Sequence, residues 1–303
     1  MRVEQSGARA EEVWLQPVDL DQALAHLQRV PATVLAGGTD LYPAAVGGSL
    51  RGPVLDLSAV AQLQQVSMTQ IPERGDASRS VPGLRIGAGV TWSQLLRASL
   101  PDGLQALHLA AREIGGVQIQ NRGTVGGNLC NASPAADSVP VLLALDASVE
   151  FRSSRATRIL ALSEFIVGNR RTVLAPDELL TAVLVPLPAP RTRSLFLKFG
   201  HRRYLVISAV SVAISARFNA QRHLEHCAIA VGACSVVPTR LPGLEQRLVG
   251  IGRDDLLAMS GKPIDAKLLD ELAPIDDVRG SANFRRELAG RLLARGLFEM
   301  AGD

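Results

Sequence analysis

Cysteine is scarce in this chain of 303 residues, and its scarcity excludes two kinds of site. The three cysteines, Cys130, Cys227 and Cys234, are odd in number and form no CxxC pair, which argues against a disulfide framework. Three thiols also fall short of the four thiolates that hold an iron–sulfur cluster. We expect Cys227 and Cys234 to be small buried apolar residues, whereas Cys130 lies in a glycine-rich stretch and is a candidate to lie near a ligand.

Long apolar runs and blocks of like charge are also absent from the sequence. No run approaches the ~18 residues that a membrane span needs, and the opening segment MRVEQSGARAEEVW lacks the apolar centre of a signal peptide. The formal net charge is only +3, from 32 basic and 29 acidic residues, without the Lys/Arg block of a nucleic-acid surface. We therefore expect a cytoplasmic protein with no membrane span and no nucleic-acid partner.

Motifs of side-chain catalysis and of common nucleotide sites are missing as well. The sequence contains no HExxH, no GxSxG, no clustered histidines and no paired carboxylates at helical spacing. It has no P-loop, and the segment Gly87-Ala88-Gly89 carries Trp92 where a GxGxxG motif needs its third glycine. We predict no catalytic residue and no metal ligand on this chain, so any demanding chemistry would belong to a cofactor.

Prolines and helix-capping residues predict how the chain is organised. Its length favours about two domains, and the proline-rich segment PLPAPRTR at 186–193 is the best linker candidate. Asp19 is a predicted helix N-cap before an apolar stripe, and Thr91 with Gln94 fits a capping box that opens another helix.

Beyond residue 193 the patterns predict a small antiparallel sheet with helices on one side. The segment SVAISARF alternates apolar residues on one face and predicts a half-buried strand. The segment FRRELAGRLLARGLF predicts a final helix with its arginines on the face opposite an apolar stripe, which comprises Phe284, Leu288, Leu292 and Leu293.

Two glycine pairs carry the strongest chemical signal. The first glycine loop (residues 36–40, AGGTD) follows an apolar strand, and the second glycine loop (residues 124–128, TVGGN) has the same form. Glycine lets a ligand approach the main chain, and successive free N–H groups form a concave nest for an anion. Either pair alone could be a tight turn, but together they favour a pyrophosphate held from two sides.

Asp137 follows the second loop closely and has two interpretations. It could be a helix N-cap or an ordinary loop residue. It could also accept hydrogen bonds from a ribityl or ribose hydroxyl, as acidic side chains do in other dinucleotide sites.

Several segments together resemble a known family over most of the chain. They are VLAGGTDL, NRGTVGGNLCNASPAADSVPVLLALDA, TVLAPDELL, RRYLVISAVSVAI and FRRELAGRLLARGL, in this order. The chain is similar to the FAD-binding (medium) subunit of the molybdenum hydroxylase family, the xanthine dehydrogenase and aerobic carbon monoxide dehydrogenase type.

The resemblance implies a fold and a domain division. It implies an α+β protein with a two-subdomain FAD-binding domain of the vanillyl-alcohol-oxidase (PCMH) type at 1–185, split near residue 60. A carbon monoxide dehydrogenase flavoprotein-like domain would follow at 191–303, with a small antiparallel sheet and helices.

The resemblance also implies a set of residues that contact FAD. Ile114 takes the place where the mammalian members have an aromatic residue packed on the flavin ring, and Val206 replaces an aspartate that many members carry. The implied contacts are Val34, Leu35, Ala36, Gly37, Gly38, Thr39, Asp40, Leu41, Ile114, Thr124, Val125, Gly126, Gly127, Asn128, Asp137, Leu180 and Lys198.

The family's role is electron transfer within a larger complex. By resemblance, the chain would take electrons from a small [2Fe–2S] subunit and pass them to NAD, a quinone or oxygen. A large subunit would carry the molybdenum cofactor, and the assembly would be a dimer of heterotrimers. Two alternatives stay open, a free-standing FAD-dependent oxidoreductase and a structural subunit that has lost FAD.

Overall fold

A computed structural model describes residues 14–45, 48, 50, 52–73, 76–202, 205–259 and 261–302. The strands within these ranges are β1 Trp14–Leu15, β2 Thr33–Leu35, β3 Val54–Asp56, β4 Val66–Glu73, β5 Asp76–Gly87, β6 Ser148–Arg152, β7 Thr157–Ala161, β8 Ile166–Gly168, β9 Arg171–Thr172, β10 Leu179–Pro186, β11 Arg193–Phe199, β12 Val210–Phe218, β13 Leu224–Gly232 and β14 Thr239–Arg240. The α-helices are α1 Leu20–Arg29, α2 Leu41–Ala44, α3 Trp92–Arg97, α4 Gln105–Glu113, α5 Val117–Arg122, α6 Val125–Asn131, α7 Ser138–Ala144, α8 Leu162–Phe165, α9 Pro242–Leu248, α10 Arg253–Ala258 and α11 Ala282–Gly302. The predicted α+β class is confirmed.

A small parallel sheet, ordered β1-β3-β2, opens the described chain. Asp19 caps α1 as predicted, because its carboxylate accepts the N–H of Gln22 at 2.8 Å. The apolar stripe of α1 is buried and packs with Leu55 and Leu63 in one cluster. Strand β2 ends directly before the first glycine loop, so this sheet determines where that loop begins.

A five-stranded antiparallel sheet, ordered β4-β5-β10-β6-β7, forms the next layer. The predicted capping box is confirmed, since Thr91 Oγ1 accepts the N–H of Gln94 and the Gln94 side chain accepts the N–H of Thr91. Residues of β5, β10 and β6 share one apolar cluster with α3, α4, α6 and α7. The second glycine loop opens α6 on this layer.

The last sheet is antiparallel, ordered β11-β12-β13-β14, with α11 packed on β11 and β12. The predicted face of β12 is buried against α11, through Val212 and Ile214. The prediction of a half-buried strand is wrong, because β12 is buried from Val210 through Ala216. The opposite face, represented by Ala213, belongs to the apolar cluster of α4 and α7, so helices cover both sides of the sheet.

Helix α11 differs from its prediction at its first turn. Arg285 is buried rather than aligned with the exposed arginines, while Phe284 is exposed. The Arg285 guanidinium is paired with the carboxylate of Asp277 and donates to the carbonyl oxygen of Ala233 at 2.9 Å. A buried guanidinium is tolerated when its charge is paired, and here both Nη groups also donate hydrogen bonds.

None of the helices in the described ranges is both long enough and apolar enough to cross a membrane.

Cys227 and Cys234 are buried as predicted, and both belong to the apolar cluster under α11.

Candidate cofactor-binding site

One cavity of about 720 Å³ lies between the loop after β2, the helices α3, α5 and α6, and strand β10. The two glycine loops line it together, although they are separated by more than eighty residues of sequence. Cys130 lines it as well. Of the residues that the sequence singled out, the structure brings these to the cavity: Val34, Leu35, Ala36, Gly37, Gly38, Thr39, Asp40, Leu41, Ile114, Thr124, Gly126, Gly127, Asn128 and Leu180.

Direct backbone contact joins the first glycine loop to the segment just before the second. A Cβ atom at Gly37 would lie 2.0 Å from the carbonyl oxygen of Arg122 and 2.9 Å from the Cα of Gly123. Only glycine permits this approach, because no backbone atom can move away as a flexible side chain would. Gly37 therefore closes one corner of the cavity.

The first glycine loop keeps its N–H groups unused. Its carbonyl groups serve the fold, since Gly38 accepts the N–H of Tyr42 at 3.0 Å and Asp40 accepts that of Ala44 at 3.1 Å. Within the described part of the chain, the N–H groups of Gly37, Gly38 and Thr39 donate to no protein acceptor. These donors line the cavity, and unpaired backbone donors require an external partner such as water or an anion.

The second glycine loop uses its N–H groups within the protein. Val125 donates to the carbonyl oxygen of Val90 at 2.9 Å, and Gly126 donates to that of Ala88 at 2.8 Å. Gly127 donates to Thr124 Oγ1 at 3.0 Å, which caps α6. The prediction of a second free N–H nest is therefore wrong, because the turn after β5 and the cap of α6 consume its donors.

Three predicted contact residues do not line this cavity. Val125 is buried in the apolar core, whereas Asp137 and Lys198 form an ion pair with Nζ 2.8 Å from Oδ2. The pair is nevertheless close to the cavity. Lys198 also donates to the carbonyl oxygen of Glu113 at 3.2 Å, and the next residue, Ile114, lines the cavity. Their direct contact with a cofactor stays a prediction.

Asp137 precedes α7, but its carboxylate makes no capping hydrogen bond to that helix. Its partners are Lys198 and Ser208, whose hydroxyl donates to Oδ1 at 2.6 Å. Burial raises the pKa of Asp137, and the Lys198 charge and the Ser208 hydroxyl oppose this rise. Lys198 also donates to the carbonyl oxygen of Val206 at 3.3 Å, so the pair joins α7, the end of α4 and the segment after β11.

Four charged residues line the cavity within the described ranges, and sequence reasoning found only Asp40 among them. The others are Arg97, Arg122 and Arg170. Arg122 lies two residues before the second glycine loop, and this proximity in the sequence is a signal that could have predicted its place in the cavity. Nothing in the local sequence marks Arg97 or Arg170, since the fold brings them to the cavity from α3 and from the turn after β8.

The site fits a dinucleotide with an anionic diphosphate and a flat apolar ring system. Its volume is within the usual range for cofactor pockets, roughly 300–1,000 Å³. The first glycine loop offers unused donors, the charged side chains give a net positive lining, and Ile114 and Leu180 offer apolar surface. No cluster of three or more His, Cys, Asp or Glu side chains suited to a metal occurs among the described residues.

Fold and site thus define a protein suited to bind a dinucleotide, and the comparisons with known families identify that dinucleotide as FAD. Residues 7–188 match the FAD binding domain in molybdopterin dehydrogenase, and residues 196–300 match the CO dehydrogenase flavoprotein C-terminal domain. The chain therefore belongs to the family of FAD-binding medium subunits of the molybdenum hydroxylases. It is an oxidoreductase flavoprotein, and its cofactor is FAD.

Relatives with named functions are similar over most of their length. The caffeine dehydrogenase subunit beta of Pseudomonas sp. (strain CBB1) is 30% identical over 298 residues, covering 95% of this chain and 94% of that protein. The xanthine dehydrogenase FAD-binding subunit of Escherichia coli O157:H7 is 30% identical over 260 residues, covering 85% and 84%. A chain of the reconstituted CO dehydrogenase from Oligotropha carboxidovorans shares the fold, with a TM-score of 0.83, 23% identity and coverage of 96% and 98%.

Proposed function

We propose that this chain is the FAD-carrying electron-transfer subunit of a multi-subunit, molybdenum-dependent dehydrogenase or hydroxylase. It takes electrons from a [2Fe–2S] subunit and passes them to an external acceptor such as NAD, a quinone or oxygen. The observation that carries the proposal is a cavity that combines unused backbone donors with apolar residues, on a chain of this family. When bound, FAD supplies electron-transfer chemistry that protein side chains lack.

The residues around the cavity have distinct proposed roles. The N–H groups of the first glycine loop bind the diphosphate, and Ile114 with Leu180 packs on the ring system. The second glycine loop shapes the cavity from the opposite side. The Asp137–Lys198 pair holds that side in place, since Ser138, next to Asp137, donates to Asn128 Oδ1 at 2.6 Å.

We further propose that the FAD-binding domain comprises residues 1–185, split near residue 60, and that residues 191–303 form the C-terminal domain. The family matches at 7–188 and 196–300 support this division. The proposed location is the cytoplasm.

The partners would be a large subunit with the molybdenum cofactor and a small subunit with [2Fe–2S] clusters. The complex would be a dimer of heterotrimers. The relatives support a multi-subunit assembly, because one is the subunit beta of caffeine dehydrogenase and another is the FAD-binding subunit of xanthine dehydrogenase. A small-molecule substrate would therefore react on another chain.

The first test is chemical analysis of the purified full chain. An absorption spectrum, followed by denaturation and identification of the released chromophore, is expected to give FAD in near-equal amount to protein. A colourless chain that cannot be reconstituted with FAD would instead support a structural subunit.

The second test asks whether the chain works alone. Affinity purification of the tagged chain from its native host is expected to bring two further subunits, with molybdenum and iron detected by elemental analysis. Substrate oxidation by the lone FAD-loaded chain, without those subunits, would instead support a free-standing oxidoreductase.

A further inference from the structure

The charged lining of the cavity is unbalanced. Among the described residues it comprises three arginines, Arg97, Arg122 and Arg170, and one acid, Asp40. Three positive charges against one negative charge leave two positive charges on the wall. A diphosphate diester carries two negative charges at neutral pH, so the lining and the diphosphate match in charge.

The three arginines differ in how they are bonded. Arg170 Nη1 donates to Asn131 Oδ1 at 2.6 Å, and Asn131 Nδ2 donates to Asp40 Oδ1 at 3.0 Å. This chain of hydrogen bonds occupies Arg170 and holds the one acid of the lining. Arg97 and Arg122, in contrast, make no side-chain hydrogen bond and no ion pair within the described ranges.

Arg122 also lies beside the unused donors of the first glycine loop. Its carbonyl oxygen is the atom that a Cβ at Gly37 would meet at 2.0 Å. The residue that carries an unpaired guanidinium and the loop with unpaired N–H groups are therefore neighbours in the cavity lining. Both kinds of donor suit phosphate oxygens, and a guanidinium can bind two of them at once.

We propose that Arg122, with Arg97 as a second cation, completes the diphosphate subsite that the first glycine loop begins. This inference rests on the proposed role of that loop. Arg122 would make the site bind flavins that carry phosphate more tightly than flavins that lack it. The apolar side of the cavity would bind the ring system in either case.

The experiment measures flavin affinity of the FAD-free full chain by quenching of flavin fluorescence. Arg122→Gln is expected to raise the Kd for FAD about 10-fold to 100-fold, the loss expected for hydrogen bonds to a charged group. Riboflavin, which has no phosphate, is expected to bind wild type and variant equally. Arg97→Gln is expected to show the same pattern with a smaller loss.

Salt dependence gives a second readout. FAD binding to the wild type should weaken as NaCl is raised, because salt screens exposed charges. The dependence should be shallower in Arg122→Gln and retained in Arg122→Lys, which keeps the charge. Arg247→Gln is the matched control, since Arg247 is an exposed arginine on α9 in the second family domain.

The outcomes separate this inference from the proposed function. If Arg122→Gln binds FAD with the same affinity and the same salt dependence as the wild type, the inference is wrong, while the proposed FAD site still stands. An equal loss of FAD and riboflavin would also overturn it, because the variant would then have damaged the whole cavity. Failure of the wild type to bind FAD at all would instead contradict the proposed function.

Discussion

The two glycine loops look alike in sequence but serve the cavity in different ways. In the first glycine loop, Gly37, Gly38 and Thr39 offer N–H groups that no described residue accepts. In the second, the N–H groups of Val125, Gly126 and Gly127 are all bonded within the protein. Equal glycine content therefore does not mean equal availability of backbone donors.

The difference follows from what surrounds each loop. The first loop lies between a short edge strand and the four-residue helix α2, and none of the described residues accepts the N–H groups of Gly37, Gly38 and Thr39. The second lies against the turn after β5, where the carbonyl groups of Ala88 and Val90 face it. One loop is thus open to a ligand, and the other belongs to the folded core.

The largest expected loss of stability comes from breaking the Asp137–Lys198 ion pair, near the second glycine loop. Lys198→Met should destabilise the FAD-free chain by about 3–5 kcal/mol, because it leaves the buried carboxylate of Asp137 without its cation. Urea unfolding of the full chain measures this. Adding Asp137→Asn should recover a large part of the loss, and failure to recover it would contradict an ion-pair cause.

The same variant should show a pH dependence of known sign. Burial raises the pKa of Asp137, and Lys198→Met removes the charge that opposes this rise. A carboxyl with a raised pKa in the folded state contributes stability at low pH and loses it as pH increases. The deficit of Lys198→Met relative to wild type should therefore shrink towards pH ~4, the ordinary range of an aspartate. A deficit constant with pH would contradict this account.

Gly126→Ala should have the next largest effect, and on folding. The new Cβ would lie 2.5 Å from the Cβ of Ala88 and 2.8 Å from its carbonyl oxygen. Such overpacking is expected to cost about 1–3 kcal/mol in the FAD-free chain, measured by urea unfolding. Gly48→Ala is the control, because among the described residues no atom lies within 4 Å of a Cβ at that position. Unchanged stability of Gly126→Ala would break the distinction between the loops.

Gly37→Ala should act mainly on the cofactor. Its Cβ would collide with the backbone at Arg122, which cannot yield, so the half-buried loop at residue 37 would be displaced instead. The shift would misplace the unused donors. We expect purified Gly37→Ala to carry little FAD, while its FAD-free unfolding midpoint stays closer to wild type than that of Gly126→Ala. If Gly37→Ala lowers the unfolding midpoint more than Gly126→Ala does, the proposed roles of the two loops are wrong.

The smallest effect compares two threonines, one from each glycine loop. Thr124→Val removes the acceptor for the Gly127 N–H and should cost about 1 kcal/mol, as for other N-caps. The Thr39 hydroxyl makes no hydrogen bond within the described residues. Thr39→Val should therefore change FAD-free stability by less than about 0.5 kcal/mol. Equal losses in the two variants would remove the contrast.

Local signals in the sequence predicted local structure well. The Asp19 cap and the Thr91–Gln94 capping box needed only neighbouring residues, and both are confirmed. Burial of both faces of β12 was missed, because α7, the helix that packs on its second face, lies far away in the sequence. The buried Arg285 was missed for the same reason, since Ala233 contributes an acceptor from a distant turn.

The sequence by itself determined the family, the cofactor and the two segments that border the cavity, because glycine pairs and their neighbours are read locally. Only the tertiary structure decided which loop keeps its donors free, since that depends on whether distant carbonyl groups come within hydrogen-bond distance. It also decided that Arg97, Arg122 and Arg170 share one cavity. Charge and donor availability in a site are set by neighbours in space, and folding alone brings those neighbours together.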